Sequence, residues 1–163
     1  MAMNKALFLD RDGVINLEQG DYVWQTKNFA LCPNVSNNLK RFQDAGYLLI
    51  LITNQGGIAK GIYSHQDVRK VHDYMEELLA ENGVVFDGLY HSPYHDIKGK
   101  SLGRKPGSLL FEKAIAKFNV DPSLSIMVGD KERDVIPAKA LGMKTFLVEK
   151  NIDIEFIVDQ FLG

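Results

Sequence analysis

A short apolar run near the N-terminus ends abruptly in acidic residues, and this feature limits the possible folds most. Residues 6–9 read Ala-Leu-Phe-Leu, and Asp10, Arg11, Asp12 and Gly13 follow directly. A short, uninterrupted apolar run is typical of a parallel strand that is buried on both faces. In an open α/β sheet, ligands bind beyond the carboxyl ends of such strands. The run therefore predicts a buried strand that places Asp10 at the edge of a parallel sheet.

Apolar runs and stretches of helical periodicity alternate along the rest of the chain. We predict strands at 47–52, 86–91, 125–128 and 144–148, and helices at 34–46, 64–83, 110–118, 134–141 and 152–162. Alternating strands and helices are typical of an α/β domain with a central parallel sheet. Because the chain has 163 residues and neither a linker nor an internal repeat, we expect one domain over residues 1–163.

The composition argues against several classes of partner. The formal net charge is −2, which does not favour binding to nucleic acid or to an anionic membrane. No signal peptide is recognisable, and no stretch approaches the roughly 18 apolar residues that span a bilayer. The one cysteine, Cys32, excludes an internal disulfide and fits a reducing compartment. We expect a cytoplasmic protein, monomeric or a small homo-oligomer, in which Cys32 is a packed thiol.

Polar groups also follow three other predicted strands. Residues 53–55 (Thr-Asn-Gln) and Asp130 each come directly after a strand, and a loop with Arg104 and Lys105 follows another. Each motif alone has an ordinary explanation, since Asp and Gly form turns and loop cations are usually solvated. Strands of one parallel sheet share a direction, however, so their carboxyl ends meet at one edge. The sequence therefore predicts that these groups converge.

The predicted group of side chains suits phosphoryl transfer. Carboxylate oxygens are the ligands that Mg²⁺ prefers, and it usually takes one or two carboxylates together with substrate phosphates. A hydroxyl and a lysine can hold the phosphoryl oxygens, as can backbone N–H groups that glycines allow to approach an anion. A carboxylate such as Asp10 can also act as a covalent nucleophile. Asp12, two residues further on, would then protonate the leaving oxygen and activate water.

One segment leaves two interpretations open, and the histidines of one predicted helix carry a separate expectation. Residues 17–29 have no clear period and include Tyr22 and Trp24. Long loops of this kind are often functional, so the segment is either a flap over the site or a loop that its aromatic residues anchor to the core. His65 and His72 lie on the predicted helix 64–83, and we expect both to be solvated at the surface.

At these residues the sequence resembles the haloacid dehalogenase-like (HAD) phosphatase superfamily. Asp10-x-Asp12-Gly13, Thr53, Lys105 and Gly129-Asp130-x-x-x-Asp134 match its four motifs in order. The resemblance implies a Rossmann-like three-layer sandwich, and no large cap domain fits between the motifs. It also implies that Asp10 is the nucleophile, that Asp12 is the general acid and base, and that Thr53 and Lys105 hold the phosphoryl group. The Asp10 carboxylate, the Asp12 carbonyl and Asp130 would bind Mg²⁺.

Longer motifs resemble one branch of that superfamily, the small histidinol-phosphate and heptose-bisphosphate phosphatases. The segments LDRDGVIN, ITNQGGIAKG, RKPG and VGDKERD carry this likeness, and the second favours the D-glycero-D-manno-heptose 1,7-bisphosphate phosphatases. This implies carbohydrate metabolism, and substrate contacts from Asn54, Gln55, Arg104 and Lys131. Histidinol phosphate or another small phosphomonoester stays the alternative substrate, and a non-catalytic phosphate-binding domain stays the alternative class.

The chain departs from that branch at a zinc-binding loop. The branch usually has Cys-x-His followed by Cys-x-Cys just before the RKP motif, where this chain has Ser92-Pro93-Tyr94 and Ser101-Leu102-Gly103. All four zinc ligands are replaced, so we predict no structural zinc. His91, His95 and Asp96 lie nearby, but without thiolates we do not expect them to form a substitute site.

Overall fold

The computed structural model describes residues 2–163 and contains a five-stranded, wholly parallel sheet. The strands are β1 (Ala6–Leu9), β2 (Leu48–Asn54), β3 (Gly88–Ser92), β4 (Ile126–Gly129) and β5 (Lys144–Leu147). Their order in the sheet is β3-β2-β1-β4-β5, and every neighbouring pair is parallel. The predicted α/β class with a central parallel sheet is confirmed.

Five α-helices connect and cover the strands. They are α1 (Val35–Asp44), α2 (His65–Ala80), α3 (Leu109–Phe118), α4 (Glu132–Ala140) and α5 (Glu155–Leu162). Ser64 caps α2 in a capping box with Asp67, as is common at helix starts. The predicted strands and helices are present with bounds shifted by a few residues, and Thr53 and Asn54 lie within β2 rather than after it.

The sheet is buried on both faces, and this explains the unbroken apolar run of β1. Successive side chains of a strand point to opposite faces. Leu7 and Leu9 belong to the core formed with α1, α2 and α5, whereas Ala6 and Phe8 belong to the core formed with α3 and α4. All four residues are fully buried. The result is the three-layer sandwich that the sequence predicts.

The order of the strands fixes where a ligand can bind. The chain proceeds from β1 outward through β2 to β3, and then returns to the other side of β1 to form β4 and β5. Ligands in open α/β sheets bind beyond the carboxyl ends of the strands at the point where the direction of winding reverses. This point lies between β1 and β4, which end next to Asp10 and Asp130.

Connections between the strands are short or contain a single α-helix. Within residues 2–163 no segment between two strands forms a separate folded insertion, which agrees with the absence of a large cap domain. The segment after β1 has only one short 3-10 turn, at Thr26–Asn28, before α1 begins. Cys32 is buried, as expected. Among the described residues, no helix has the length and the apolar character that a membrane crossing requires.

The expectation that His72 is solvated is wrong. Its side chain is buried, and its Nε2 lies 3.4 Å from Nη1 of the fully buried Arg11. The reason is its position on α2, because it shares the buried face of this helix with Val71 and Met75. His65, at the start of the helix, is exposed as expected.

Candidate active site

Three carboxylates meet at the carboxyl ends of β1 and β4. Asp10 follows β1, Asp130 follows β4, and Asp134 lies in the first turn of α4. One carboxylate oxygen from each of the three lies within 4.8 Å of the other two. A cavity of about 370 Å³ opens over this group. It is the acidic site that the sequence predicts at this edge.

Lys105 is the cation at the centre of the group. Its Nζ donates hydrogen bonds to Asp10 Oδ1 at 2.9 Å and to the carbonyl oxygen of Ile52 at 2.6 Å, and it lies 2.6 Å from Asp134 Oδ1. Burial lowers the pKa of Lys105, but the charges of Asp10 and Asp134 outweigh burial and raise that pKa above its usual value. Lys105 therefore stays charged and directs one oxygen of Asp10.

The remaining acidic groups fit a divalent metal ion. Burial and the charge of Asp134 raise the pKa of both Asp10 and Asp130. Asp130 Oδ2 is buried and, within the described residues, has no hydrogen-bond partner. Three carboxylates thus face the ammonium group of Lys105 and that of the half-exposed Lys131, whose Nζ lies 3.7 Å from Asp130 Oδ2. A hard cation with oxygen ligands would balance the remaining negative charge. The set of donors fits Mg²⁺.

The backbone approaches these ligands closely at Gly13. Gly13 has φ of +87°, and a Cβ there would lie 2.6 Å from Asp130 Oδ2. Only glycine adopts this conformation without strain and leaves that space free. The turn after β1 can therefore pass next to Asp130.

Asp134 differs from the other two carboxylates because both of its oxygens have partners. Oδ1 pairs with Lys105, and Oδ2 accepts a hydrogen bond from the backbone N–H of Lys131 at 3.0 Å. Asp134 therefore orients Lys105 and caps α4. Asp130 Oδ2, by contrast, has no hydrogen-bond partner within residues 2–163 and lies 3.7 Å from Lys131 Nζ.

Asp12 also lines the cavity and is held by three donors. Its Oδ1 accepts from Arg11 Nη2 at 2.8 Å and from Asn16 Nδ2 at 3.0 Å, and its Oδ2 accepts from Gln55 Nε2 at 3.1 Å. Burial raises the pKa of Asp12, but the Arg11 charge and the three donors outweigh it, and the pKa lies below its usual value. Its side chain is 28% exposed and borders the cavity.

The other predicted site residues divide into two groups. Asn54 and Lys131 lie on the cavity wall, whereas Thr53, Gln55 and Arg104 are buried next to it. Gln55 donates to Asp12 and not into the cavity, so the geometry departs from the predicted substrate contact. The reason is that its amide is already shared between neighbouring side chains.

Asn54 and Arg104 hold the loop that carries Lys105. The Asn54 side chain donates to the Lys105 carbonyl at 3.1 Å and accepts from the Lys105 N–H at 3.0 Å. Arg104 Nη1 donates to the Tyr94 carbonyl at 2.9 Å, and its Nε lies 3.6 Å from Asp96 Oδ1. Arg104 thereby joins the two loop segments in which this chain lacks the zinc ligands usual in the related branch.

Several residues of the cavity wall are not among the site residues that the sequence predicts. Arg133 contributes a cation beside Lys131, and the 17–29 segment contributes Glu18, Asp21 and Tyr22. The sequence contains part of the information that would identify these residues. Arg133 stands in the VGDKERD motif, and the sequence itself offers the 17–29 segment as a candidate flap over the site. Nothing in the local pattern shows that their side chains face the site.

Comparison with known proteins agrees with this geometry. Residues 102–154 match the family model described as HAD-hydrolase-like. A D-glycero-beta-D-manno-heptose-1,7-bisphosphate 7-phosphatase of Haemophilus ducreyi is 44% identical over 147 residues, covering 86% of this chain and 80% of the relative. A D-glycero-D-manno-heptose-1,7-bisphosphate 7-phosphatase of Chlorobaculum tepidum is 40% identical, covering 98% and 86%. The chain belongs to this phosphatase family.

A solved structure of the same family has the same fold. The crystal structure of a D,D-heptose 1,7-bisphosphate phosphatase from B. bronchiseptica, complexed with magnesium and phosphate, superposes with a TM-score of 0.84. The two sequences are 28% identical, and the match covers 98% of this chain and 88% of the other. Membership of the heptose-bisphosphate phosphatase family makes the chain a phosphoric monoester hydrolase of HAD-like type.

Proposed function

We propose that this chain removes the 7-phosphate of D-glycero-D-manno-heptose 1,7-bisphosphate, with Mg²⁺ as cofactor and Asp10 as the residue that carries the phosphoryl group. The observation that supports this most is the position of Asp10. Its Oδ1 is held by Lys105, two further carboxylates lie beside it, and a cavity opens above it. This arrangement leaves Asp10 anchored through one oxygen and facing the space that a phosphate would enter.

The reaction proceeds in two steps on this chain. The Asp10 carboxylate attacks phosphorus, the bond to the sugar oxygen breaks, and Asp12 gives that oxygen a proton. Water then attacks the aspartyl phosphate while Asp12 takes its proton, and Asp10 is restored with release of inorganic phosphate. Proton transfer of this kind contributes typically 10²- to 10⁴-fold in rate.

Charge repulsion is the main obstacle to the first step. A carboxylate and one phosphate charge about 4 Å apart repel by roughly 4 kcal/mol at an effective dielectric constant of 20. Bound Mg²⁺ would neutralise part of this negative charge. We propose that Asp10, Asp130 and the carbonyl of Asp12 hold this ion, and that Lys105 and Thr53 bind the phosphoryl oxygens.

The surroundings of Asp12 suit both of its tasks. Its lowered pKa leaves it ionised in the free protein, which is the form that accepts a proton from water. The negative charge of a bound phosphoryl group raises the pKa of a neighbouring carboxyl, because like charges disfavour ionisation. Substrate binding therefore moves Asp12 toward the protonated form that the leaving oxygen needs.

The remaining cavity wall fits a phosphorylated sugar. Lys131 and Arg133 form a cationic side for the second phosphate, while Asp21 offers an acceptor for sugar hydroxyl groups. Of the similar phosphatases, those of Haemophilus ducreyi and Burkholderia mallei are named for the beta and the alpha anomer respectively. Both anomers therefore belong in the test.

The experiment is a substrate comparison followed by ³¹P NMR. The purified chain is assayed with both anomers of the bisphosphate, with histidinol phosphate and with simple phosphomonoesters, in Mg²⁺ and in EDTA. We expect loss of the 7-phosphate, a kcat/KM at least about tenfold above histidinol phosphate, and no turnover in EDTA or in Asp10→Asn. Higher kcat/KM for histidinol phosphate would assign that substrate instead. Binding without release from any ester would make the chain a non-catalytic phosphate-binding protein.

We also infer that the protein acts in the cytoplasm, as a monomer or a small homo-oligomer. The buried, unpaired thiol of Cys32 supports a reducing compartment. Cell fractionation tests the location, and light scattering tests the oligomeric state.

A further inference from the structure

We propose that Tyr63 is a positioning residue, which links the aromatic side chains of the 17–29 segment to the Asp12 carboxylate through Gln55. The inference rests on the proposed function, because it concerns the acid and base of that reaction. Tyr63 lies in the loop before α2 and is buried. Its side chain is not on the wall of the cavity.

A continuous hydrogen-bond chain runs from Tyr63 to Asp12. Tyr63 Oη donates to Gln55 Oε1 at 2.7 Å, and Gln55 Nε2 donates to Asp12 Oδ2 and to Thr53 Oγ1, each at 3.1 Å. An amide has one accepting and one donating end, and an ionised carboxylate can only accept. The Tyr63 hydroxyl therefore holds the amide in the one orientation that presents N–H to Asp12.

The Tyr63 hydroxyl stays a donor at every physiological pH. Burial raises the pKa of its phenol above the usual range. Its ring lies directly against the backbone at Gly57, where a Cβ would collide with it. Burial and this close approach leave the hydroxyl little freedom to point elsewhere.

Two aromatic side chains of the 17–29 segment lie on the Tyr63 ring. The ring of Trp24 is stacked at a centroid distance of 6.2 Å and 12°, and the ring of Tyr22 meets Tyr63 edge-on at 5.7 Å and 68°. Tyr22 itself is part of the cavity wall. Tyr22 therefore both lines the cavity and packs against the donor that orients Gln55.

The segment also reaches the second oxygen of Asp12. The carbonyl of Val23 accepts a hydrogen bond from Arg11 Nη2 at 2.7 Å, and the same Nη2 donates to Asp12 Oδ1 at 2.8 Å. Asp12 Oδ1 is thus bound by Arg11, which contacts Val23, and Asp12 Oδ2 is bound by Gln55, which Tyr63 links to the segment. A displacement of this segment would loosen Asp12 from both sides.

Two substrates whose leaving groups differ in basicity distinguish a loss of Asp12 positioning from a general loss of structure. A sugar alkoxide needs a proton to depart, whereas p-nitrophenolate departs without one. The value of kcat/KM covers only the steps up to release of the leaving group. For Tyr63→Phe, which keeps the ring, we expect kcat/KM on the sugar phosphate to fall about fivefold, the equivalent of one hydrogen bond. On p-nitrophenyl phosphate we expect a change below about twofold.

A matched control and a double-mutant cycle complete the test. Tyr74→Phe removes another hydroxyl from the neighbourhood of this segment, because the Tyr74 ring packs on Phe29. This substitution should change neither value. Gln55→Met should lower the sugar phosphate value selectively. Adding Tyr63→Phe to it should have no further effect, because both act through one contact. Equal losses on the two esters, additive effects, or no effect of Tyr63→Phe would overturn the proposal.

A crystal structure of Tyr63→Phe tests the contact without any assay. We expect the Gln55 amide to turn and Asp12 Oδ2 to lose its donor. An unchanged Gln55–Asp12 contact would refute the positioning role, even if the chain hydrolyses no ester. Hydrolysis of other alkyl phosphates but not of the heptose bisphosphate would refute the proposed substrate. The comparison of leaving groups would then be made with one of those alkyl phosphates and would still test the role of Tyr63.

Discussion

At the scale of single residues, the positive charge of Lys105 is the one on which the acidic site depends most. It is buried between Asp10 and Asp134, and its removal leaves two carboxylates facing each other without a cation. Breaking a buried ion pair by deleting one partner typically costs about 3–5 kcal/mol in the free energy of unfolding. For Lys105→Met we expect a loss in that range and a fall in kcat/KM of about 10³-fold or more.

Lys113→Met is the control for that substitution, because Lys113 is exposed on α3. It should leave both the free energy of unfolding, measured with urea, and kcat/KM within error. A Lys105→Met protein as stable as the wild type would contradict the electrostatic role of Lys105.

His72 gives a residue-scale prediction about pH. Burial and the nearby Arg11 charge lower its pKa to about 3, from an ordinary value of 6.5. Below pH 6.5 the unfolded chain binds a proton at His72 and the folded chain does not, so stability falls as pH decreases toward 3. Between pH 7 and pH 5 this one group should cost about 2 kcal/mol.

The measurement is urea denaturation of wild type and His72→Asn at both pH values. The loss of stability on acidification should be smaller in His72→Asn by about the same 2 kcal/mol. His65→Asn is the control, since His65 is exposed and the variant should retain the wild-type difference. Identical pH dependence of wild type and His72→Asn would contradict the assignment.

At the scale of elements, the 17–29 segment is the part of the site with the least regular structure. It has one short 3-10 turn, and Trp24 is half-buried on Tyr63. An aromatic pair contributes about 0.5–1.5 kcal/mol beyond the area that it buries. For Trp24→Ala we expect faster hydrogen exchange in residues 17–29, with unchanged exchange in α1, and a fall of about three- to tenfold in kcat/KM on the sugar phosphate.

Phe156→Ala serves as the control for loss of an aromatic side chain, because Phe156 is exposed on α5. It should alter neither the exchange of residues 17–29 nor kcat/KM. If Trp24→Ala accelerates exchange across the whole chain, its role is general packing and the segment is not a separate unit.

At the scale of the whole molecule, the acidic edge of the sheet couples metal binding to stability. A ligand that binds only the folded state stabilises it by RT ln(1 + [L]/Kd), about 2.7 kcal/mol at 100 times Kd. We therefore expect MgCl₂ to raise the Tm of the wild type. The effect should be abolished in Asp130→Asn, which removes the carboxylate whose Oδ2 has no hydrogen-bond partner within residues 2–163.

Asp73→Asn is the matched control, since Asp73 is exposed on α2. It should keep the full rise of Tm with MgCl₂. Equal stabilisation of Asp130→Asn and wild type would mean that the ion binds elsewhere.

Most of the fold follows from local patterns in the chain. The apolar runs at 6–9 and 126–128 are long enough only for buried strands, and their periodicity and flanking glycines separate them from the helices. Polar residues at the ends of these runs, above all Asp10 and Asp130, were foreseeable because parallel strands share a direction. Lys105 was foreseeable only through its motif, since a loop cation has no preferred direction.

The contacts between those residues depend on how distant segments pack. No local pattern shows that His72 faces Arg11, that the Gln55 amide is used by Asp12 and Tyr63, or that both oxygens of Asp134 already have partners. Strand and helix signals depend on a few neighbouring residues, whereas the orientation of a buried polar side chain depends on which partners from other segments remain available to it. The amino-acid order thus accounts for the sheet and for the chemistry at its edge, and packing accounts for which groups are free to act.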